Sequence, residues 1–334
     1  MDKRSVSNDN NGGKKMSERK TKDFLYKVIA ELYNKSEYIE VIDYPRSINR
    51  RSIDLAVKLN NDRFLLIKVA HDLEEIPKGE IAELLGLSLR LGIPSIIITE
   101  KNRGILMVDG VVYEKNGAKA VKLETLISAL ENNDVYIFQD KESFKVKINP
   151  EKLREKRISR NMSLGEVASI LHVSRRSVYE YERGTIEPSV DLGEKLVNIF
   201  GEEILQPINI FSKEYLEKIE VEDQPVDVLE EKIISNELKD LGFITYHAKR
   251  TVLDIGAKDK QGNRLLIIVR HGKEGAQALS AKAQNLEKLS DTTNSKSFVI
   301  SNEKSLIKEL ELEKAKALTL EEFIELLRDS FGNK

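Results

Sequence analysis

The stretch SLGEVASILHVSRRSVYEYERGTIEPSVDLGEKLVNIF, residues 163–200, carries the pattern that decides the organisation of this chain. Ser163 is followed three residues later by Glu166, the spacing of a capping box, so a helix of about two turns is predicted to begin directly after Ser163. Ser174 is placed to cap a second short helix, which is predicted to stop at Gly184. Two short helices joined by a tight turn form a helix-turn-helix.

This stretch resembles the DNA-binding domain of the lambda-repressor/Cro family. Ala168 matches the small inner position of the first helix, Val173 precedes the turn, and Val178 matches the buried apolar position of the second helix. The run YERGTIEPS, residues 181–189, resembles the closing signature of that family. The resemblance covers roughly residues 151–201 and implies that the second helix enters the major groove of DNA.

The charge of this segment differs from the charge of the whole chain. The 334 residues include 54 Lys and Arg against 56 Asp and Glu, a net charge of −2, so the average gives no argument for a nucleic-acid partner. A local positive excess is the electrostatic signature that binding to phosphates requires. Between residues 152 and 183 the basic residues outnumber the acidic ones by eight to four: Lys152, Arg154, Lys156, Arg157, Arg160, Arg175, Arg176 and Arg183 against Glu155, Glu166, Glu180 and Glu182.

The family resemblance assigns roles along the second helix by position. Arg175, Arg176 and Ser177 lie at its exposed start, where this family places base-reading side chains, and Arg is the usual bidentate partner of guanine. Tyr179 and Glu180 lie one turn further along, within reach of a thymine methyl group, a cytosine amino group or a phosphate.

Three further residues complete the predicted DNA-binding set. Ser163 and the first amides of its helix are placed to hold a phosphate, although Leu164 stands where relatives often carry a polar phosphate-binding residue. Arg183 is predicted either to reach the DNA backbone or to pair with the neighbouring Glu182, and the sequence leaves both roles open. The predicted DNA-binding residues are Ser163, Ser174, Arg175, Arg176, Ser177, Tyr179, Glu180 and Arg183.

An α/β unit is predicted before the helix-turn-helix. Apolar residues at helical spacing follow Thr21, and another helix is expected from about Glu80 to Leu91. Four apolar runs read as strands, and this order suits a mixed sheet flanked by helices. The runs are YIEVIDY (38–44), IDLAVKL (53–59), FLLIKVA (64–70) and IPSIIIT (93–99).

The C-terminal third of the chain repeats that order of elements. The segments SIDLAVKLNNDRFLLIKVA (52–70) and VLDIGAKDKQGNRLLIIVRH (252–271) match with one inserted residue, which pairs Asp54 with Asp254. The closing segments VKLETLISAL and LTLEEFIELL also match. We interpret the two units as copies of one α/β unit, against the alternative that any two α/β units share such a succession.

The first α/β unit resembles the restriction-endonuclease and Holliday-junction-resolvase superfamily. That resemblance implies an aspartate and a second acid that bind Mg²⁺, and a lysine that orients the attacking water. Asp54 and Lys68 are in place, but Leu66 stands at the position of the second acid. A metal would have to borrow Glu31 or Glu40.

The second α/β unit departs further from the nuclease pattern. With Asp254 matched to Asp54, Ile267 is expected at the acid position and Val269 at the lysine position. Loss of the acids in favour of apolar residues stabilises a core that no longer catalyses, because a buried carboxylate without a metal is costly. Both units are predicted to be inactive relatives that serve in dimerisation or DNA docking.

Composition excludes several classes of site. The chain has no cysteine, which removes disulfides, thiol nucleophiles, zinc ribbons and iron–sulfur ligation. The four histidines, expected on the surface or in turns, include no pair at the helical i, i+4 spacing, so no metal site is predicted. The first 20 residues lack an apolar core and predict neither a secretory signal nor a membrane span. The four are His71, His172, His247 and His271.

The predicted fold is α/β plus all-α. Two nuclease-like mixed α/β domains, at residues 21–140 and 227–332, flank a central lambda-repressor-like helical domain at residues 150–205. A disordered tail is expected at residues 1–20 and an acidic linker at residues 206–226.

The leading functional hypothesis is a cytoplasmic, sequence-specific transcriptional regulator that binds double-stranded DNA as a homodimer, without cofactor, metal or enzymatic activity. The layout resembles an archaeal group of helix-turn-helix regulators. Two alternatives stay open: a divalent-metal-dependent DNA endonuclease that uses Asp54 and Lys68, and a DNA-repair factor that binds DNA structure. The operator and any small-molecule effector are not determined by the sequence.

Overall fold

The chain folds into two compact units. The first consists of Met1–Gly104, Lys115–Ala118 and Phe211–Lys334, and the second of Ile105–Glu114 and Lys119–Ile210. The first unit therefore contains both α/β copies, called here the N-terminal module (up to residue 104) and the C-terminal module (from residue 228). The computed structural model describes residues 9–141, 143–212, 226, 228–272 and 274–332, with side chains from residue 18 onward.

The N-terminal module is a mixed sheet of four strands. In sequence, one helix precedes the first strand and another lies between the third and fourth strands. Strands β1, β2 and β3 pair antiparallel, and β4 joins β3 in parallel, because helix α2 provides the crossover that a parallel pair needs. Every predicted strand and helix of this part is present. The elements are α1 (Asp9–Leu32), β1 (Ser36–Val41), β2 (Leu55–Leu59), β3 (Phe64–Asp72), α2 (Lys78–Leu91) and β4 (Ser95–Asn102).

Helix α1 begins earlier than the sequence suggested. The tail predicted over residues 1–20 is wrong for residues 9–20, which are helical, while residues 1–8 lie outside the described part of the chain. Glu18 accepts a hydrogen bond from Ser47 Oγ, and Thr21 is buried in the module. The helix formers of this tail are confined to residues 14–20, KKMSERK, and packing of α1 on β3 stabilises the helix as a whole.

The second unit combines a small sheet with the predicted helical domain. Strands β6 and β8 are parallel, and β8 and β9 form an antiparallel hairpin. The elements are β5 (Ile105–Leu106), β6 (Val111–Lys115), β7 (Ala118–Val121), α3 (Leu123–Leu130), β8 (Ile137–Asp140), β9 (Ser143–Val146), α4 (Pro150–Ser159), α5 (Leu164–Leu171), α6 (Arg175–Tyr181) and α7 (Val190–Phe200).

The hairpin and the helices share one core. Val146 N donates to Pro188 O at 3.0 Å, and Asn149 N donates to Ile204 O at 2.7 Å. Val146 and Ile148 are buried in the same apolar cluster as the helical residues. The second unit begins at Ile105, whereas the sequence placed a domain boundary near residues 140–150. That boundary stays a prediction of which parts of the chain fold independently.

The C-terminal module repeats the architecture of the first. Strands β10, β11 and β12 are antiparallel, and β12, β13 and β14 are parallel. The linker predicted at residues 206–226 lies largely outside the described residues. The elements are α8 (Leu229–Asp240), β10 (Ile244–His247), β11 (Ile255–Lys258), β12 (Arg264–Val269), α9 (Ala276–Thr292), β13 (Lys296–Ile300), α10 (Lys304–Glu309), β14 (Lys316–Leu318) and α11 (Leu320–Phe331). No helix within the described ranges combines the length and apolar character needed to cross a membrane.

Strands β2 and β3 align with β11 and β12 without an insertion. Asp54 N donates to Ile67 O, and Asp254 N donates to Ile267 O, both at 2.9 Å. The expected inserted residue is therefore wrong, and so is the match of Ile267 with the acid position. Because the register is uniform, Leu266 stands at the acid position of the C-terminal module.

The residue equivalent to Lys68 in the C-terminal module also lies one position earlier than the sequence predicted. Val69 N donates to Asp54 Oδ2 at 2.7 Å, and Val269 N donates to Asp254 Oδ2 at 2.8 Å. Val269 therefore corresponds to Val69, and the equivalent of the preceding Lys68 is Ile268, not Val269.

The helices α2 and α9 align as well. Ile93 N donates to Ser88 O where α2 ends, and Ser295 N donates to Ser290 O where α9 ends. Both helices are continuous, so these contacts fix the equivalence of their residues in the preceding turns.

The two modules pack on each other reciprocally. Helix α2 contacts β10 and β11 of the C-terminal module, and α9 contacts β1 and β2 of the N-terminal module. Glu83 of α2 accepts hydrogen bonds from Lys249 N at 2.7 Å and Arg250 N at 2.8 Å, and Asn285 Oδ1, at the equivalent position of α9, accepts one from Asp43 N at 2.8 Å. The chain thus contains an intramolecular pair of modules.

Gly86 permits this close approach. A Cβ atom at this position would lie 2.3 Å from the ring of Tyr246, which is fully buried in the contact. Any larger residue at position 86 would push the two modules apart, because neither the backbone of α2 nor the ring of Tyr246 has space to move in a packed interior.

Candidate nucleic-acid interface and nuclease-like sites

The helix-turn-helix begins with a complete capping box. Ser163 Oγ accepts from Glu166 N at 3.2 Å, and Glu166 Oε2 accepts from Ser163 N at 2.7 Å, as the sequence predicted. Helix α5 ends at Leu171, and the next residue, His172, has its backbone in the left-handed region at φ 57°. Val173 N closes the turn on Ala168 O at 3.0 Å, which sets the angle at which the next helix leaves.

Helix α6 has the predicted cap but is shorter than expected. Ser174 Oγ accepts from Ser177 N at 3.0 Å, and the helix ends at Tyr181 rather than reaching Gly184. Gly184, in the left-handed region at φ 65°, closes the turn that follows: its N donates to Tyr181 O and Thr185 N donates to Glu180 O, both at 3.1 Å, which is the arrangement expected of a C-terminal glycine. Ser163 and Ser174 thus have a structural role as caps, whatever else they bind.

The outer face of α6 presents the predicted base-reading residues. Val178 is fully buried, whereas Arg175, Arg176 and Tyr179 are exposed, the side chain of Arg176 at 84%. Arg176 Nε donates to Glu180 Oε1 at 2.8 Å. An exposed pair of this kind contributes little to stability, so the guanidinium can exchange Glu180 for a DNA partner at small cost.

Glu182 pairs with Arg157, not with Arg183. Arg157 Nε and Nη2 donate to the two carboxylate oxygens of Glu182 at 2.6 and 2.9 Å, and Nη1 donates to Met162 O at 2.8 Å. The hydrogen bonds to Glu182 raise the pKa of Arg157. Sequence reasoning missed this fork because the partners lie 25 residues apart. Arg183 remains exposed, with Cζ 5.7 Å from the ring centre of Tyr179.

The nuclease-like site of the N-terminal module is a buried cluster of charges. Lys68 Nζ lies 3.2 Å from Asp54 Oδ2 and 3.6 Å from Glu80 Oε2, and it donates to Ile48 O at 2.9 Å. Relative exposure is 0% for Asp54 and 3% for both Lys68 and Glu80. Burial raises the pKa of Asp54 against the opposing effect of Lys68.

Strand β3 has Leu66 at the position of the second acid, and Glu80 of α2 supplies a second carboxylate beside Lys68 instead. The expectation that Glu31 or Glu40 would supply it is wrong, because Glu31 is exposed on α1 and Glu40 lies on β1, while Glu80 faces Lys68 from the first turn of α2. Burial raises the pKa of Glu80 to about 7, with Lys68 opposing the rise. The only sequence signal was an acid in the first turn of a helix, which is common at any helix start.

The donor set of this cluster fits a divalent cation. Among the described residues, Asp54 Oδ1 and Glu80 Oε2 are buried and have no hydrogen-bond partner, and carboxylate oxygens are the ligands that Mg²⁺ prefers. The ammonium group of Lys68 already neutralises one of the two carboxylates, and protonation of Glu80 can neutralise the other. With a proton on Glu80, Asp54 and Lys68 form an ion pair that needs no metal to compensate it.

The C-terminal module has a different arrangement around Asp254. Lys282 Nζ lies 2.9 Å from each carboxylate oxygen of Asp254. His271 Nε2 lies 2.9 Å from Glu231 Oε1 and 3.8 Å from Asp254 Oδ1. Glu231, Asp254 and His271 could together hold a metal ion by distance alone.

His247 lies inside the C-terminal module, so the expectation of a surface or turn position is wrong for it. It belongs to β10 and is 5% exposed. Its Nε2 lies 2.7 Å from Ser235 Oγ, and its Nδ1 lies 3.6 Å from Glu231 Oε2. Alternation of apolar and polar residues could not reveal this position, because Thr245, Tyr246 and His247 are all buried and Tyr246 packs against the N-terminal module from the other face of β10.

Comparison with known proteins agrees with this two-part construction. Residues 22–135 match the family model of the PD-(D/E)XK superfamily domain, and residues 153–205 match a helix-turn-helix model. The predicted fold class, α/β nuclease-like domains with a central helix-turn-helix, is confirmed. No solved structure matches the chain.

Relatives match nearly the whole chain. A protein of Saccharolobus solfataricus and one of Saccharolobus islandicus, both named "Putative HTH-type transcriptional regulatory protein", are 28% and 27% identical, each over 87% of this chain and 91% of its own length. A protein of the same name from Aeropyrum pernix is 40% identical over 309 residues, covering 90% of this chain and 93% of the relative. The chain belongs to this family of archaeal HTH-type transcriptional regulatory proteins.

Proposed function

We propose that this protein is a sequence-specific DNA-binding transcriptional regulator. The observation that carries the proposal is the exposed face of α6, where Arg175, Arg176 and Tyr179 project from a helix fixed by two caps and a buried core. Arginine at the start of a recognition helix can read guanine through two hydrogen bonds. The names of the relatives and the matched helix-turn-helix support the same class of function.

The remaining predicted residues divide into base contacts and backbone contacts. Ser177 and Glu180 lie on the half-exposed flank of α6, and Arg183 at its end is free of Glu182 to approach a phosphate. Ser163 and Ser174 present helix N-termini, where amide groups favour phosphate oxygens. Phosphate contacts position the protein, whereas base contacts give it specificity.

The functional unit on DNA is proposed to be a homodimer in the cytoplasm. One helix-turn-helix reads a half-site, and a two-fold pair reads a palindrome with half-sites about one helical turn apart. The two nuclease-like modules already pack on each other within one chain. The surface that joins two chains is thus proposed to lie outside the reciprocal contact of α2 and α9.

Absence of enzymatic activity is part of this proposal. The side chains of Asp54, Lys68 and Glu80 are at least 96% shielded from solvent, so a DNA phosphate has no direct route to them in this conformation. In the C-terminal module Leu266 and Ile268 replace the acid and the lysine of the nuclease pattern.

Binding across a salt series is the test of the base-reading assignment. A duplex selected from a random library by the wild-type protein serves as the specific probe, and a scrambled duplex of equal length as the non-specific one. Arg175→Ala and Arg176→Ala are each expected to weaken specific binding about 5- to 100-fold and to leave scrambled-duplex binding within a few-fold. Arg63→Ala, which removes an exposed arginine from the β2–β3 turn, is the charge-matched control. Equal loss on both duplexes would make these arginines backbone contacts only.

A divalent-metal DNA endonuclease is the second candidate, favoured by the Asp54–Lys68–Glu80 cluster. If a metal binds, the carboxylates of Asp54 and Glu80 would hold it, and it would activate water for phosphodiester hydrolysis. Lys68 is placed to orient that water or to stabilise charge. Cleavage of duplex, flap or four-way DNA with Mg²⁺ or Mn²⁺ that disappears in both Asp54→Asn and Glu80→Gln would establish this function. No cleavage on any substrate would reject it.

A further inference from the structure

The C-terminal module contains a cation of its own where the nuclease fold accommodates a metal. Lys282 is 5% exposed, and its ammonium group lies 2.9 Å from both oxygens of Asp254. Burial lowers the pKa of this lysine, but Asp254, Tyr44 and Glu274 together raise it above its ordinary value. By its contacts, the side chain forms an ion pair with Asp254 and occupies both of its carboxylate oxygens.

Position 282 is equivalent to position 80. Ser290 and Ser295 at the end of α9 make the same backbone contact as Ser88 and Ile93 at the end of α2, and eight residues before each serine lie Lys282 and Glu80. The N-terminal module thus directs a carboxylate at its buried aspartate from this turn, and the C-terminal module directs an ammonium group.

We infer that Lys282 is a tethered substitute for the divalent cation, so that the carboxylate–imidazole cluster of Glu231, Asp254 and His271 binds no metal while Lys282 is present. Three ligand atoms lie within 4.8 Å of one another, which is the spacing of a metal site. A metal among them must displace the ammonium group or accept a positive charge beside it. This inference does not depend on DNA binding, and it concerns the module in which no nuclease function is proposed.

The charges of the cluster support the assignment. Lys282 balances Asp254 directly, and His271 lies between the two carboxylates, 2.9 Å from Glu231 and 3.8 Å from Asp254. His247 Nδ1 lies 3.6 Å from Glu231 Oε2, but within the described residues neither His247 Nδ1 nor His271 Nε2 makes a hydrogen bond. The assignment therefore depends on Lys282, whose ammonium group a divalent ion at Asp254 would have to displace or lie beside.

The test is the number of Mn²⁺ ions bound per chain, measured by titration with detection of free Mn²⁺ by electron paramagnetic resonance. Lys282→Met removes the charge and keeps an unbranched side chain that is one atom shorter, and it is expected to bind one Mn²⁺ more than the wild type. Lys282→Arg retains a cation and is expected to behave as the wild type. The additional site is expected to disappear in Lys282→Met with His271→Ala and in Lys282→Met with Asp254→Asn.

Folding of the variants does not weaken the test. If Lys282→Met is unstable without metal, Mn²⁺ is expected to raise its Tm by several degrees, while Lys282→Met with Asp254→Asn folds without metal and shows no Mn²⁺ effect. The inference is overturned if wild-type protein binds a Mn²⁺ that His271→Ala abolishes, or if Mn²⁺ changes neither the stoichiometry nor the Tm of Lys282→Met. Sites that use Asp54 and Glu80 are separated by repeating the titration in Glu80→Gln.

Discussion

The N-terminal and C-terminal modules have the same buried aspartate on the same strand, hydrogen-bonded to the same backbone amide, yet they neutralise it from different directions. In the N-terminal module the cation is Lys68 of β3, and the equivalent residue of the C-terminal module is Ile268. In the C-terminal module the cation is Lys282 of α9, at the position where the N-terminal module has Glu80. A buried carboxylate must be paired or protonated, and the fold allows the partner to come from a strand or a helix.

This difference separates what the fold requires from what chemistry requires. Catalysis by a metal needs two acids and a lysine in one place, which the N-terminal module retains through Glu80. Stability needs only that each buried charge be compensated, which Lys282 achieves for Asp254 from the helix position where the N-terminal module has a second acid. Because Lys282 is part of the chain, Asp254 can stay buried even if the other residues that would bind a metal are lost.

The largest effect is expected from removal of the cation in the C-terminal module. Lys282→Met leaves Asp254 buried without its partner and is expected to reduce the free energy of unfolding by about 3–5 kcal/mol in metal-free buffer. Asp254→Asn combined with Lys282→Met removes both charges and is expected to recover most of that loss. Urea denaturation with EDTA present measures both. A loss of under about 1 kcal/mol in the single variant would mean that water reaches the pair.

In the contact between the two modules, loss of the α2 side chain is expected to cost more unfolding free energy than loss of the equivalent α9 side chain. Glu83→Ala removes the acceptor of the Lys249 and Arg250 amides and leaves the hydroxyl of Ser52 only its contact with Arg250 O, at an expected cost of about 2–4 kcal/mol. Asn285→Ala removes a single exposed bond to Asp43 and is expected to cost about 1 kcal/mol or less. Equal costs would show that the two halves of the contact are energetically alike, and urea denaturation of both variants decides.

Local patterns predicted the fold of this chain well. The apolar runs of β3 and β4, the capping box at Ser163 and the cap at Ser174 each depend on a few adjacent residues, and the structure has all of them. The duplicated order of elements also predicted the second module. Such features follow from side-chain periodicity and capping, which act within one or two turns.

Pairings across the fold could not be predicted. Glu80 reaches Lys68 only because α2 crosses back over the sheet, and Arg157 of α4 reaches Glu182 only because the chain folds back over 25 residues to bring the end of α6 to it. One inserted residue in the alignment was enough to misplace the acid and lysine positions around Ile267, since a slip of one residue reverses the face of a strand. Residue types alone do not report which distant charges meet.

The sharpest comparison of the two modules is the pH dependence that Glu80 introduces. Burial raises the pKa of Glu80 to about 7 from its ordinary value of 4.5, so the folded state binds a proton that the unfolded state releases. The stability contributed by that proton is complete below pH 4.5 and is lost as the pH rises through 7. Glu80→Gln cannot ionise, so it is expected to gain about 1–3 kcal/mol relative to wild type between pH 4.5 and 8.

Thermal unfolding of the variant and the wild type at matched pH values, with EDTA present, measures this difference. Glu31→Gln, which alters an exposed carboxylate of α1 in the same module, is the control and is expected to show a difference from wild type that does not change with pH. Position 282 carries a lysine, so the C-terminal module has no acid there to titrate. A flat difference for Glu80→Gln would mean that Lys68 keeps both carboxylates ionised, and the cluster would then carry a negative charge that a divalent cation could neutralise.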